Sequence, residues 1–302
     1  MNSLIRVLPP IAAAIGAGRP VVALESSVLA QGLPIPVNQE AATRMARAVE
    51  DAGAVPAITA VVNGCATVGL EPDELTRFLA QDGVRKVSAR DLAPAIATGG
   101  DGATTVAAAI AIAHLAGIEV FATGGIGGIH RDAPYDESAD LAELARTPII
   151  VVCAGAKSIL DLPATWERLE TLGISVVGYR TSELPGFYFA STGIQLTTRA
   201  DSVAELASIY RAHRSLCRQQ SLLVVQPPPP DDALDRETVE QATTLSQQDA
   251  ARENVRGAAV TPYLLAALSR LTRGASLRTN VSLLERNAAL AGEIAVALSA
   301  TH

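Results

Sequence analysis

Lysine is almost missing from this chain. Of its 24 cationic side chains only Lys86 and Lys157 are lysines, and all the others are arginine. Cysteine is as sparse: Cys65, Cys153 and Cys217 are too few and too scattered for a disulfide framework or a CxxC zinc site. Cys65 and Cys153 sit in apolar stretches and are expected as small core residues. Aromatic residues make up only 3%, against 49% hydrophobic, which describes a globular chain rich in Ala, Val, Leu and Ile and excludes a disordered one. No uninterrupted apolar run reaches membrane-spanning length. The opening MNSLIRVLPPIAAAIGAGRPVVAL has its apolar patch interrupted by Pro9 and Pro10 and runs straight into a strand-like segment, so it does not read as a signal peptide. A cytoplasmic protein is expected. The net charge of −7 argues against a nucleic-acid or anionic-membrane surface, so an anionic substrate must be held by a few placed groups.

What is present alternates. Strand-like runs are VVAL (21–24), AITAVV (57–62), EVFAT (119–123), IIVVCA (149–154), SVVGY (175–179) and SLLVV (221–225), with helical patterns between them. Asn38 is placed to cap a helix that stops at Gly53, and PDELTRFLA opens on proline and acids as a helix start prefers. TTVAAAIAIAHLAG is apolar nearly all round and reads as a buried helix. These features predict an α/β protein, layered α/β/α around a largely parallel sheet. The 302 residues are read as one domain, with a sheet region over about 19–226 and a helical part over about 231–302. QPPPPDD (226–232) marks the passage between them.

Ligands of such sheets sit beyond the carboxyl ends of the strands, and several polar residues fall there. Glu25 follows the strand VVAL and is placed to act as an acid or base, or simply as an exposed strand-end carboxylate. KVSARDL carries Lys86. ATGGDGATTVAAA puts glycines before a helix with Thr104 and Thr105 in its first turn, an arrangement suited to phosphate. FATGGIGGIHR has four glycines in five positions, which permits close backbone approach or a tight packing corner. Asp136, Glu137 and Asp140 in YDESADLAEL offer oxygen ligands for Mg²⁺ or Mn²⁺, or serve as helix caps. Lys157, in VVCAGAKSILD, lies between small residues at a strand exit. Unlike arginine it can lose its proton when desolvated, and a neutral amine condenses with a carbonyl.

Taken together, VVALESSVLAQGLPIP, KVSARDL, GGDGATTVAAAIAIAHLAGIEVFATGGIGGIHR, DESADLAEL and VVCAGAKSILDLPATWERLETLGISVVGY resemble the pseudouridine-5'-phosphate glycosidases, also called the indigoidine-synthase-A-like family. TPYLLAAL and SLRTNVSLLERNAALAGEIA match more weakly, and the resemblance runs from about Arg19 to Ile294. It implies reversible cleavage of pseudouridine 5'-phosphate to uracil and ribose 5-phosphate, a role in pseudouridine catabolism, one Mn²⁺ per subunit and a homotrimer. On matching positions it makes Lys157 the nucleophile, Glu25 the proton donor and Asp136 the metal ligand. Lys86, Val106, Ser138, Ala139 and Asp140 fall on substrate-binding positions, and Thr104, His130 and Asn280 are expected to line the same pocket. Gln31 stands where many relatives carry histidine, Ser27 where threonine is usual, and Glu137 adds a carboxylate beside the metal position. A class I aldolase on a (β/α)₈ barrel and a non-catalytic sugar-phosphate binder remain as alternatives.

Overall fold

A computed structural model describes residues 5–300 apart from Asp132 and Pro134. The first part of the chain forms β1 (Ile5–Val7), α1 (Pro9–Gly16), β2 (Val21–Glu25), α2 (Val37–Asp51), β3 (Val55–Val62), β4 (Cys65–Val68), α3 (Pro72–Ala80), β5 (Arg85–Val87), α4 (Leu92–Thr98), β6 (Gly102–Thr104), α5 (Val106–Leu115) and β7 (Val120–Ala122). There follow β8 (Ile129–His130), α6 (Ala139–Leu144), β9 (Ile150–Cys153), β10 (Leu160–Asp161), α7 (Leu162–Thr171), β11 (Ser175–Tyr179), β12 (Arg199–Ala200), α8 (Val203–Ser215) and β13 (Leu222–Val225). Three helices close the chain: α9 (Arg236–Arg252), α10 (Val260–Leu271) and α11 (Ala275–Ser299).

The main sheet runs β1-β4-β3-β2-β7-β9-β13-β11-β12, with β6 pairing to β3 and β5 to β6. From β3 through β2, β7, β9, β13, β11 and β12 every pairing is parallel; β4 and β6 meet β3 antiparallel. The central strands are buried along their whole length, which is why they read as unbroken apolar runs and not as alternating ones. Helices cover both faces, as the alternating pattern predicts, and the sheet is open, not a closed barrel. No helix among the described residues is long and apolar enough to cross a membrane.

Two local expectations are corrected. Asn38 lies inside α2, not at its cap, because its amide donates to the Leu29 and Leu79 carbonyls (3.0 and 2.8 Å) and so joins two other segments to the helix. Thr104 and Thr105 are not in the first turn of α5: Thr104 ends β6 and Thr105 is the N-cap, so a short strand separates the glycines from the helix. The C-terminal helices are no appendage. The 25-residue α11 packs against α2 and crosses β2, β7 and β9, which brings its side chains to the strand ends.

Candidate active site

β2, β7 and β9 are parallel neighbours, so the residues that leave their carboxyl ends converge. β2 ends on Glu25, β7 leads into Thr123 and the glycine loop, and β9 leads to Lys157. The loop and the lysine segment are zipped together by backbone bonds: Ala154 N–H to the Gly124 carbonyl (2.9 Å), Ile126 N–H to Gly155 (3.1 Å) and Lys157 N–H to Ile126 (3.1 Å). Beyond them β8 pairs antiparallel with β10. The glycines are needed for this approach. A Cβ on Gly125 would stand 2.5 Å from the Phe187 ring and 2.9 Å from the Gly155 carbonyl.

Glu25, Lys86, Lys157 and Asn280 line one cavity, together with Ser27, Gln31, Thr123, Phe187 and, from α10, Thr261, Pro262 and Leu265. The empty space there is about 510 Å³, open solvent included.

Glu25 is 5% exposed. Ser27 donates a hydroxyl hydrogen bond to one of its oxygens and Thr123 to the other, both at 2.5 Å. Thr123 is held in turn, its carbonyl accepting from the Asn287 amide (2.8 Å), and Gln226 donates to Asn287 (3.0 Å). The carboxylate is therefore fixed at the cavity wall by a chain of bonds that reaches α11. Lys157 is half-buried across the same space.

Lys86 is accessible at the cavity mouth, yet enough protein crowds it that burial lowers its pKa from the ordinary lysine value. The charge of Lys157 adds to the lowering, while Glu25 and Asp140 oppose it. With its folded pKa below the unfolded one, a charged Lys86 costs the fold stability, and the cost vanishes as pH rises through both values. A bound anion relieves it. β5 pairs with β6 in the register Lys86↔Ala103, which sets this cation beside the start of α5. Cys153 is no rival nucleophile: burial pushes its thiol up to about 12.

The other expected residues stand outside the lining. Thr104 is fully buried, its hydroxyl donating to the Thr59 carbonyl (2.8 Å) and meeting Ser26 Oγ (3.2 Å) beneath Glu25. His130 lies in the β8–β10 ribbon because Ile129 and His130 pair with Asp161 and Leu160. Val106 and Ala139 open α5 and α6. Ser138 caps α6. Asp140 accepts from the backbone N–H of Gly127 (2.8 Å) and of Ala107 (2.9 Å), tying the glycine loop to the start of α5. A methyl group on Gly127 would collide with Ser138 and lie 2.9 Å from Asp140 Oδ2. Gly127→Ala is thus expected to cost about 1–3 kcal/mol of stability. An unchanged urea midpoint would show that this bracket carries no strain-sensitive packing.

Asp136 is exposed, on the turn before α6. Glu137 is ion-paired with Arg168 (2.9 Å) and Asp140 is taken up by backbone N–H groups, which leaves one carboxylate. Among the described residues no group of three or more His, Cys, Asp or Glu side chains is arranged to hold a metal. This donor set fits only a hard divalent ion that keeps most of its water.

The geometry can be compared with known proteins. A family profile described as indigoidine synthase A like protein matches residues 10–297. A protein of Gemmatimonas aurantiaca named pseudouridine-5'-phosphate glycosidase is 60% identical over 281 residues, 93% of this chain and 92% of that one. One of the same name from Herpetosiphon aurantiacus is 51% identical over 300 residues, 99% of each chain. Among solved structures, the prealnumycin C-glycosynthase AlnA in complex with ribulose 5-phosphate superposes with a TM-score of 0.92 at 41% identity, covering 99% of this chain and 98% of that one. An indigoidine synthase A-like protein of Thermotoga maritima superposes with a TM-score of 0.90 at 35% identity, covering 98% and 97%. On sequence and on fold, the chain belongs to the indigoidine synthase A like family.

Proposed function

We propose that this protein is a pseudouridine-5'-phosphate glycosidase, cleaving the C–C glycosidic bond reversibly to uracil and ribose 5-phosphate. The observation that carries the reading is one cavity holding Lys157 and Glu25 with Lys86, in a chain 60% identical to a protein of that name. An N- or O-glycosidase protonates a leaving atom that has a lone pair. Here C1' is bonded to C5 of uracil, which has none, so a different route is needed.

The neutral Lys157 amine bonds to C1' as the C1'–O4' bond breaks, and O4' takes the proton that the attacking nitrogen gives up, becoming the 4-hydroxyl of an open pentose. Glu25 then delivers a proton to C5 of the base. The nitrogen lone pair forms C1'=N as the C1'–C5 bond breaks, and that bond's electron pair returns to the pyrimidine ring. Water adds to the protonated imine and releases ribose 5-phosphate, the neutral amine and a proton, which returns to Glu25. The structural neighbour in complex with ribulose 5-phosphate, an open-chain pentose phosphate, is a precedent for a ring-opened sugar in this fold. Lys86 is the group suited to the phosphate, beside the start of α5, where Asp140 already takes the Ala107 N–H. The reading includes Mn²⁺ held by Asp136 through retained water, which would polarise the uracil carbonyls when bound. It also includes assembly as a homotrimer.

A (β/α)₈ aldolase is disfavoured by the open sheet. A non-catalytic binder has no use for Lys157. Incubation with uracil, ribose 5-phosphate and Mn²⁺ is expected to give the C-nucleotide by mass. A chelator should lower the yield and added Mn²⁺ restore it. Absence of the product sinks the reading, and turnover indifferent to chelator removes the role of Asp136.

A further inference from the structure

The amide of Gln31 is only half engaged. Gln31 lies on a single π-helical turn (Val28–Gly32) directly after β2, a kind of turn frequent at functional sites. Its Nε2 donates to the Val84 carbonyl (3.2 Å), two residues before Lys86 on the chain. That bond fixes the orientation of the amide, because only the NH₂ can face a carbonyl. Its Oε1 is left buried without a hydrogen-bond partner, on a side chain that lines the cavity with Glu25, Lys157 and Asn280. Buried acceptors are nearly always satisfied, and an orphan one calls for an explanation.

Of the two products, the base is the one with N–H groups on a rigid ring. Uracil carries two, N1–H and N3–H, whereas an open pentose phosphate offers hydroxyls that donate and accept alike. Of the other polar groups at the cavity wall, the Lys157 amine is placed for C1', Glu25 for C5 and the Lys86 ammonium for the phosphate, Ser27 and Thr123 are engaged with Glu25, and Asn280 and Thr261 are left to share the base and the sugar hydroxyls with Gln31. We infer that Gln31 Oε1 is a specificity determinant for the base, accepting a hydrogen bond from a ring N–H of the pyrimidine. The inference rests on the function proposed above. It means that the pocket selects a ring able to donate at that point and rejects the same ring methylated there, since the methyl group removes the donor and leaves the acceptor dry.

Three variants of the assay test it, each with KM read separately for uracil and for ribose 5-phosphate. Wild type is expected to reject 1-methyluracil or 3-methyluracil, whichever blocks the donor that Gln31 reads. Gln31→Met should raise KM for uracil roughly 5- to 100-fold, leave KM for ribose 5-phosphate and borohydride trapping within about twofold, and flatten the discrimination against the methylated base. Gln31→His separates acceptor from anchor. A neutral imidazole donates to the Val84 carbonyl with one nitrogen and accepts with the other. Protonation, near pH 6.5 for an ordinary histidine, keeps the donor and abolishes the acceptor. KM for uracil should therefore be near wild type at pH 8 and rise towards the Gln31→Met value by pH 5.5, relative to wild type at each pH. An active wild type with Gln31→Met unchanged in uracil KM and selectivity overturns this inference alone, as does an equal rise in both KM values. A wild type that makes no C-nucleotide overturns the proposed function, and this inference with it.

Discussion

Lys157→Arg is expected to fold, to bind ribose 5-phosphate and to give neither a borohydride-trapped adduct nor measurable turnover, a loss of at least about 10⁴-fold. The substitution keeps a cation at the same point on the chain, so electrostatic attraction for a phosphate survives. What it removes is a nitrogen that can shed its proton, since a guanidinium cannot be deprotonated in a protein. The backbone at this position is held independently of the side chain, by the bond from Lys157 N–H to the Ile126 carbonyl (3.1 Å). The side chain itself is only half-buried, so a longer one has room towards the cavity mouth. A urea midpoint close to wild type checks that the fold is intact. Normal turnover by this variant, or an adduct on it, would refute the covalent route, because no other lysine but Lys86 exists to replace it.

The near-absence of lysine is what made this residue legible in the sequence. In a chain that meets its surface needs with arginine, a lysine set between small residues at a strand exit stands out. Glu25 is legible for a related reason: it ends a fully buried strand, where a carboxylate needs a purpose or a partner. The six long apolar runs all form strands of the main sheet, because burial on both faces leaves a strong local signal. The short strands β1, β5, β6 and β12 carry no such signal; two or three residues are too few for a period to register, and only pairing with a neighbour defines them. Of the two partners of Glu25, Ser27 lies only two residues on, whereas Thr123, itself held by Asn287, is hidden by distance along the chain. Thr123 lies 98 residues away and Asn287 a further 164, and nothing local in either segment announces the bond. The same holds for Thr261, Pro262 and Leu265, whose place in the cavity wall depends on how α10 packs. Resemblance carried Thr104 and His130 towards the pocket, whereas the hydrogen bonds of Thr104 and the strand pairing of His130 hold them outside its lining.

Glu25→Gln is expected to retain the sugar adduct and to lose cleavage by about 10²- to 10⁴-fold, the range for a positioned acid. Gln is the cleaner replacement than Ala. The carboxylate satisfies two buried hydroxyls, from Ser27 and Thr123, and deleting it leaves both without an acceptor at about 1–3 kcal/mol each. An amide can still accept from one hydroxyl and donate to the other once that hydroxyl turns, so the wall keeps its shape. It cannot release a proton to carbon. The synthetic direction gives a readout independent of net yield. In D₂O, bond formation between C5 of uracil and C1' requires the C5 proton to leave, and its reversal returns deuterium from solvent to C5. Wild type supplied with uracil and ribose 5-phosphate should therefore exchange the C5 hydrogen, and Glu25→Gln should not, while its Lys157 adduct with the sugar still forms. An exchange rate within tenfold of wild type would mean that the proton reaches C5 from another group. The two hydroxyls that grip Glu25 would then be holding a structural carboxylate, and the acid would have to be sought elsewhere around the cavity.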